Sequence, residues 1–170
     1  FGTFVGCELV EYVRKTFGLA NTPDETYVMG LSMGGFGALH TALAYPQTFG
    51  KAGALSSALI VHDIAGMKPG ENSGMANYDY YHECFGDLDK VLESENNPEV
   101  LAKRLVDEGK HLPEIFMCCG TEDFLIEHNR KMHRFLDDIG YRHEYIEDKG
   151  AHDMEFWSKY FVKFTDAMFE

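Results

Sequence analysis

The sequence predicts the α/β class: a mostly parallel sheet with helices on both faces and a small inserted cap. Three observations predict it. Short apolar runs alternate with helical repeats in the order α-β-α-β-insertion-β-α-β-α, which calls for parallel strands with helical crossovers. The run Tyr27-Val28-Met29-Gly30-Leu31-Ser32-Met33-Gly34-Gly35-Phe36-Gly37-Ala38-Leu39 reads as a strand, a tight turn centred on a serine, and a helix that opens with small residues. Two further loops, 120–125 and 148–153, directly follow apolar strands. The carboxyl ends of parallel strands are where such sheets hold their functional groups.

A chain of 170 residues with 45% hydrophobic and 14% aromatic content fills one compact domain. Its 28 acidic residues outnumber 15 basic ones, for a net charge of −13. That balance argues against nucleic acid and anionic membrane surfaces, whose binding rests on clustered Lys and Arg. No apolar run is long enough to span a bilayer. The chain opens on Phe1 with neither an initiator Met nor a secretory signal, so it reads as a piece of a longer, cytoplasmic protein. Cys7, Cys84, Cys118 and Cys119 lack metal-type spacing and read as reduced, mostly buried thiols.

Taken in order, residues 3–17 form a helix, with Val5, Leu9, Val13 and Phe17 as its stripe and Gly18 as its stop. Residues 21–24 make a turn, 26–31 a strand, and 33–45 a helix ended by Pro46. A short strand of small residues spans 51–57. From about 59 to 111 the pattern loosens, and this insertion is expected to cap the site. A strand over 114–119 leads to a helix over 122–139, faced by Leu125, His128, Met132 and Phe135. Residues 143–147 are a strand. Residues 153–168 are a last helix, with Trp157, Phe161, Phe164 and Met168 as its stripe.

The serine turn has the G-x-S-x-G pattern in strand–turn–helix context, the nucleophile elbow, with Ser32 as candidate nucleophile. Gly30 and Gly34 are expected where strand and helix nearly touch, and Gly35 and Ala38 extend the small face. A serine needs a base, and the base needs an acid that fixes its tautomer. The loop 120–125 offers Asp123 or Glu122. Asp123 is favoured because Phe124 and Leu125 behind it would anchor the loop. The loop 148–153 offers His152, the only one of eight histidines in such a loop with a Gly just ahead. The chain order Ser, Asp, His is that of an α/β-hydrolase. The amide of Met33, next after the nucleophile, is one candidate oxyanion donor. His128 reads as a structural histidine, and His62, His82 and His111 as cap residues. Asp123, His128, His133 and His152 have no recognised metal-ligand spacing, so no metal is expected. Tyr78, Tyr80, Tyr81 and Phe85 either line an acyl or alcohol pocket or fill the cap core.

The blocks at 30–39, 119–125 and 150–157 resemble the putative-esterase family, which includes esterase D, bacterial tributyrin-type esterases, and acetyl-xylan and feruloyl esterases. Leu31 before the serine is similar to the tributyrin-type branch. The resemblance implies Ser32 as nucleophile, Asp123 as acid, His152 as base and no cofactor. Trp157 keeps a family tryptophan near the substrate side, while Met154 stands where members often carry another. The implied activity is hydrolysis of short-chain acyl esters, acetylated or feruloylated carbohydrate among them, through an acyl-enzyme. An S-formylglutathione hydrolase or other thioesterase on the same triad stays open, as does a non-catalytic module. Family members also carry further strands and a loop ahead of the helix near Phe4, which supply the second oxyanion donor. Without them residues 27–31 would form an uncovered apolar sheet edge, prone to pair with another chain or a second copy.

Overall fold

A computed structural model of the chain describes residues 2–73 and 75–169. Its centre is a four-stranded, all-parallel sheet in the order β1 (Tyr27–Leu31), β2 (Lys51–Leu55), β3 (Glu114–Gly120), β4 (His143–Asp148). The β3 stretch Ile115–Gly120 is buried throughout, as its unbroken apolar run requires of a central parallel strand.

Among the described residues, seven α-helices flank the sheet or lie over its end: α1 (Leu9–Phe17), α2 (Met33–Ala44), α3 (Val61–Ile64), α4 (Tyr78–Phe85), α5 (Pro98–Asp107), α6 (Ile126–Asp138) and α7 (Met154–Phe169). One face of the sheet is covered by α2, α5 and α6. Leu39, Leu43, Leu101, Leu105, Met132 and Leu136 meet Ala54, Ile115 and Met117 there. On the other face, Phe156, Tyr160, Phe164 and Met168 of α7 pack on Leu55, Phe116 and Cys118. Gly53 lies between these layers, where a Cβ would press on the Met29 and Met168 side chains at 2.8 and 2.9 Å and make them shift. The sheet and its two helical layers form an α/β-hydrolase fold.

Two readings of helix faces and one of the cysteines need correction. Residues 4–8 form a π-helical stretch running into α1, which shifts the buried side to Gly6 and Val10 and leaves Leu9 and Phe17 exposed. In α7 the buried stripe is Phe156-Tyr160-Phe164-Met168; Phe161 is exposed and Trp157 only partly buried. The cysteines divide evenly instead of being mostly buried: Cys118 and Cys119 are buried, Cys84 is exposed and Cys7 intermediate, and all four are free.

Between β2 and β3, α5 packs in the main core as the crossover helix. Ahead of it, Ile60, Val61, Ile64, Tyr81, Phe85, Leu88 and Val91 form a separate small core that also takes in Leu125. That core sits on the carboxyl end of the sheet. No helix among the described residues is long and apolar enough to cross a membrane.

Candidate active site

Ser32 joins β1 to α2 with φ 55° and ψ −120°, a conformation that L residues rarely hold. The turn is fixed on three sides. The Ser32 amide donates to Leu55 O at 2.9 Å, and Ser32 O accepts from Ala58 N at 3.0 Å and from Phe36 N at 3.1 Å. A Cβ on Gly30 would overlap the backbone of Gly34, and one on Gly35 would stand 2.5 Å from Ser57 Oγ. The close strand–helix approach therefore rests on Gly30 and Gly35. Gly34 was expected to share that role, but a Cβ there would meet nothing within 4 Å.

The three residues taken from separate loops come together. Ser32 Oγ–H donates to His152 Nε2 at 2.9 Å, and His152 Nδ1–H donates to Asp123 Oδ2 at 2.8 Å. The Asp123 side chain is wholly buried, and its Oδ1 accepts the Leu125 amide at 2.8 Å. Glu122 is exposed. The Asp123 and His152 loops are tied to each other by Thr121 N to Asp148 O at 2.8 Å and Glu122 N to Gly150 O at 2.9 Å.

Two aromatic rings bracket the imidazole. Phe124 lies 4.7 Å from the His152 ring centroid, and Trp157 meets it edge-on at 4.8 Å. Phe124 does not anchor its loop as expected: it is 62% exposed, and Leu125 alone, buried in the cap core, does so. Buried Cys119 adjoins Asp123, and its thiol is pushed up to about 12, first by burial and then by that carboxylate.

Of the pocket candidates, Tyr80 and Tyr81 line a groove of about 480 Å³ with Ile60, Asn77 and Met33, the residue after Ser32. Phe85 and Tyr78 instead pack in the cap core. Trp157 lines a second, apolar groove of about 410 Å³ along β1 with Met29, Leu31, Met154, Phe161 and Val162.

One structural residue escaped the sequence reading. Asn129 is fully buried on α6; its Nδ2 donates to Ser57 O at 3.0 Å and Leu125 O at 2.9 Å, and its Oδ1 accepts Ser57 N at 3.2 Å. It braces the loop after β2, which holds Ser32 O through Ala58, against the Asp123 loop. An asparagine inside an otherwise apolar helical stripe was the signal for it. His128 bonds Asp63 at 2.6 Å, His62 bonds Glu99 at 2.9 Å, and His40 bonds the Glu95 carbonyl at 2.8 Å; all three lie outside the Ser32–His152–Asp123 chain.

The family model described as "Putative esterase" matches residues 1–166. The chain belongs to that esterase family. It is 42% identical over 168 residues to an acetyl esterase of Caldicellulosiruptor saccharolyticus, covering 99% of this chain and 63% of that one. Among solved structures, S-formylglutathione hydrolase FrmB of Staphylococcus aureus is similar with a TM-score of 0.79 and 27% identity, over 96% of this esterase-family chain and 61% of FrmB. The fluorophosphonate-binding serine hydrolase FphF of the same organism, with substrate bound, matches with the same score, identity and coverage. The chain thus spans somewhat less than two thirds of the length of these relatives.

Proposed function

We propose that the protein is a serine carboxylesterase that cleaves short-chain acyl esters through an acyl-enzyme. The hydrogen-bonded chain from Ser32 through His152 to buried Asp123 carries this reading. His152 Nε2 takes the Ser32 proton as Oγ attacks the ester carbonyl. The new C–O bond forms as the carbonyl electrons move onto oxygen. When the tetrahedral intermediate collapses, His152 returns the proton to the departing alcohol. Water, deprotonated by the same imidazole, then releases the acid and restores Ser32. Asp123 stays ionised and holds the imidazole in its productive tautomer. No step calls on a cofactor.

The Met33 amide at the start of α2 supplies one oxyanion donor in this reading. The second comes from the further length that the relatives have. The same further length, or a second copy of the chain, would cover the apolar groove along β1. The groove beside Met33, with Tyr80 and Tyr81, is the proposed substrate side, and its aromatic wall suits acetyl or larger acyl groups on carbohydrate alcohols. The likeness to FrmB favours a thioester as the second substrate class to test. Four free cysteines are in keeping with a reducing compartment such as the cytoplasm.

The test is active-site labelling of the full-length protein with a fluorophosphonate, together with hydrolysis of p-nitrophenyl acetate. One label should map to Ser32, and Ser32→Ala should abolish both label and turnover. Labelling that persists at another serine would overturn the assignment.

A further inference from the structure

At the end of the sheet opposite Ser32, the last turns of α6 and the start of β4 bring two imidazoles and a carboxylate together. His133 and Asp137 stand one turn apart on the same face of α6, and His143 opens β4. His133 Nδ1 lies 2.8 Å from His143 Nε2, and His133 Nε2 lies 3.6 Å from Asp137 Oδ2. One ligand atom from each residue lies within 4.8 Å of the other two.

The tautomers follow from the surroundings. His143 Nδ1–H donates to the Tyr141 carbonyl at 2.8 Å, so His143 Nε2 carries a lone pair. An imidazole that gives its far N–H to a backbone carbonyl is oriented as metal-binding histidines are. The 2.8 Å contact then needs the His133 proton on Nδ1, which leaves His133 Nε2 with a lone pair facing a carboxylate. A hydrogen bond between two neutral imidazoles accounts for the first contact and not for the second. A cation would take the one lone pair of His143 Nε2 in place of that hydrogen bond and set positive charge beside the Asp137 carboxylate. The His133 ring, which lies against Tyr145 with centroids 4.4 Å apart and 28° between planes, must turn or give up its Nδ1 proton to share a cation with His143 Nε2.

We propose that His133, Asp137 and His143 form a binding site for a divalent transition-metal cation, with zinc the best fit. Two imidazoles and a carboxylate are a zinc donor set, and water completes the tetrahedron. The ligand atoms must close to roughly 3.3 Å from one another, as Zn–N and Zn–O bonds of about 2.0–2.1 Å demand. Asp137, whose side chain is 62% exposed, is free to turn inward. The site's role is structural. It ties α6, which follows the Asp123 loop, to β4, which precedes the His152 loop.

The same gap could be filled by a second proton on His133, and titration with metal separates the two. Metal-free full-length protein is titrated calorimetrically with Zn²⁺ alone, and Tm is followed alongside. The expected result is one Zn²⁺ per chain and a Tm that rises with Zn²⁺ concentration. His133→Gln, His143→Gln and Asp137→Asn should each weaken binding by about tenfold or more. His152→Ala should leave it unchanged. Asp137→Asn alters an exposed side chain, so it reads the site even where a histidine variant folds poorly. Absence of stoichiometric Zn²⁺ binding, binding that survives Asp137→Asn and His133→Gln, or binding lost in His152→Ala would each overturn the proposal.

Discussion

Gly120 and Gly150 meet so closely at the carboxyl ends of β3 and β4 that a methyl group on Gly120 would overlap the carbonyl of Gly150. The contact brings the loop of Asp123 against the loop of His152. The hydrogen bonds from Thr121 and Glu122 cross at the same place. The 2.8 Å spacing between Asp123 and His152 therefore depends on two positions that carry no side chain.

Gly120→Ala should push these loops apart. The overpacking should cost about 1–3 kcal/mol of stability. A misplacement near 1 Å in the acid–base pair should lower kcat on p-nitrophenyl acetate by about 10²-fold. Gly34→Ala is the control for the fold, because its Cβ meets open space. Its stability should lie within about 0.5 kcal/mol of the parent by urea unfolding. Equal losses in the two variants would show that the Gly120–Gly150 approach is not what limits the site.

Asp123→Asn should cost far more activity than Glu122→Gln. The buried carboxylate accepts from both His152 and the Leu125 amide, whereas Glu122 is solvent-exposed. An amide at position 123 would permit the wrong imidazole tautomer, with a fall in kcat of about 10⁴. The glutamine variant should hold its rate within twofold. Steady-state kinetics on both variants checks this, and a larger loss in Glu122→Gln would move the acid role.

The strands and the order Ser32, Asp123, His152 were legible because they are written locally, as apolar runs followed by Gly-bounded loops. What was not legible depended on a third partner. The face of the first helix was read with a strict four-residue step, and the first half of the stripe on the last helix was placed one residue late. A π-helical stretch over residues 4–8 turns the first toward Val10, and packing on Leu55, Phe116 and Cys118 selects the row that begins at Phe156 in the last. Gly34 and Gly35 are indistinguishable in sequence; the positions of Ser57 Oγ and the Leu55 carbonyl make Gly35 the tight one. Phe124 looked like an anchor because it is apolar, but the anchoring contact goes to Leu125 and leaves Phe124 against His152. His133 and His143 lie on separate elements, and only the turn between α6 and β4 sets them side by side.

The thiols should react in the order of their exposure. The thiolate is the reactive form, and burial pushes both Cys118 and Cys119 well above the ordinary thiol range. Cys84 is exposed. A disulfide reagent at neutral pH should modify Cys84 first, with Cys118 and Cys119 following only on unfolding. Peptide mass mapping over time checks the order. Cys84→Ser should remove the fast phase, and rapid modification of Cys119 in the native protein would contradict the buried placement of β3.

Acid should weaken the junction between β4 and α7 through Asp148. Lys159, then Tyr160 and the Lys149 amide, hold the Asp148 carboxyl at about 2, below its ordinary 3.8. Arg130, bonded to Glu147 at 2.7 and 2.8 Å, lowers that neighbouring carboxyl in the same direction. A carboxyl with a lower pKa folded than unfolded takes up its proton more readily in the unfolded chain, so protonation favours unfolding. The stability Asp148 contributes is thus fully present above about 3.8 and is lost as pH falls through about 2. Asp148→Asn removes that contribution at neutral pH and leaves less to lose in acid. Its Tm should lie below the parent's at pH 7, and the two curves should converge as pH approaches 2. The backbone carbonyl of residue 148, which receives the Thr121 amide, is kept in the variant, so kcat at pH 7 should change far less than Tm. Thermal melts across this pH range check the sign: a gap between parent and variant that widens toward acid would mean that Asp148 is not held ionised by Lys159 and Tyr160.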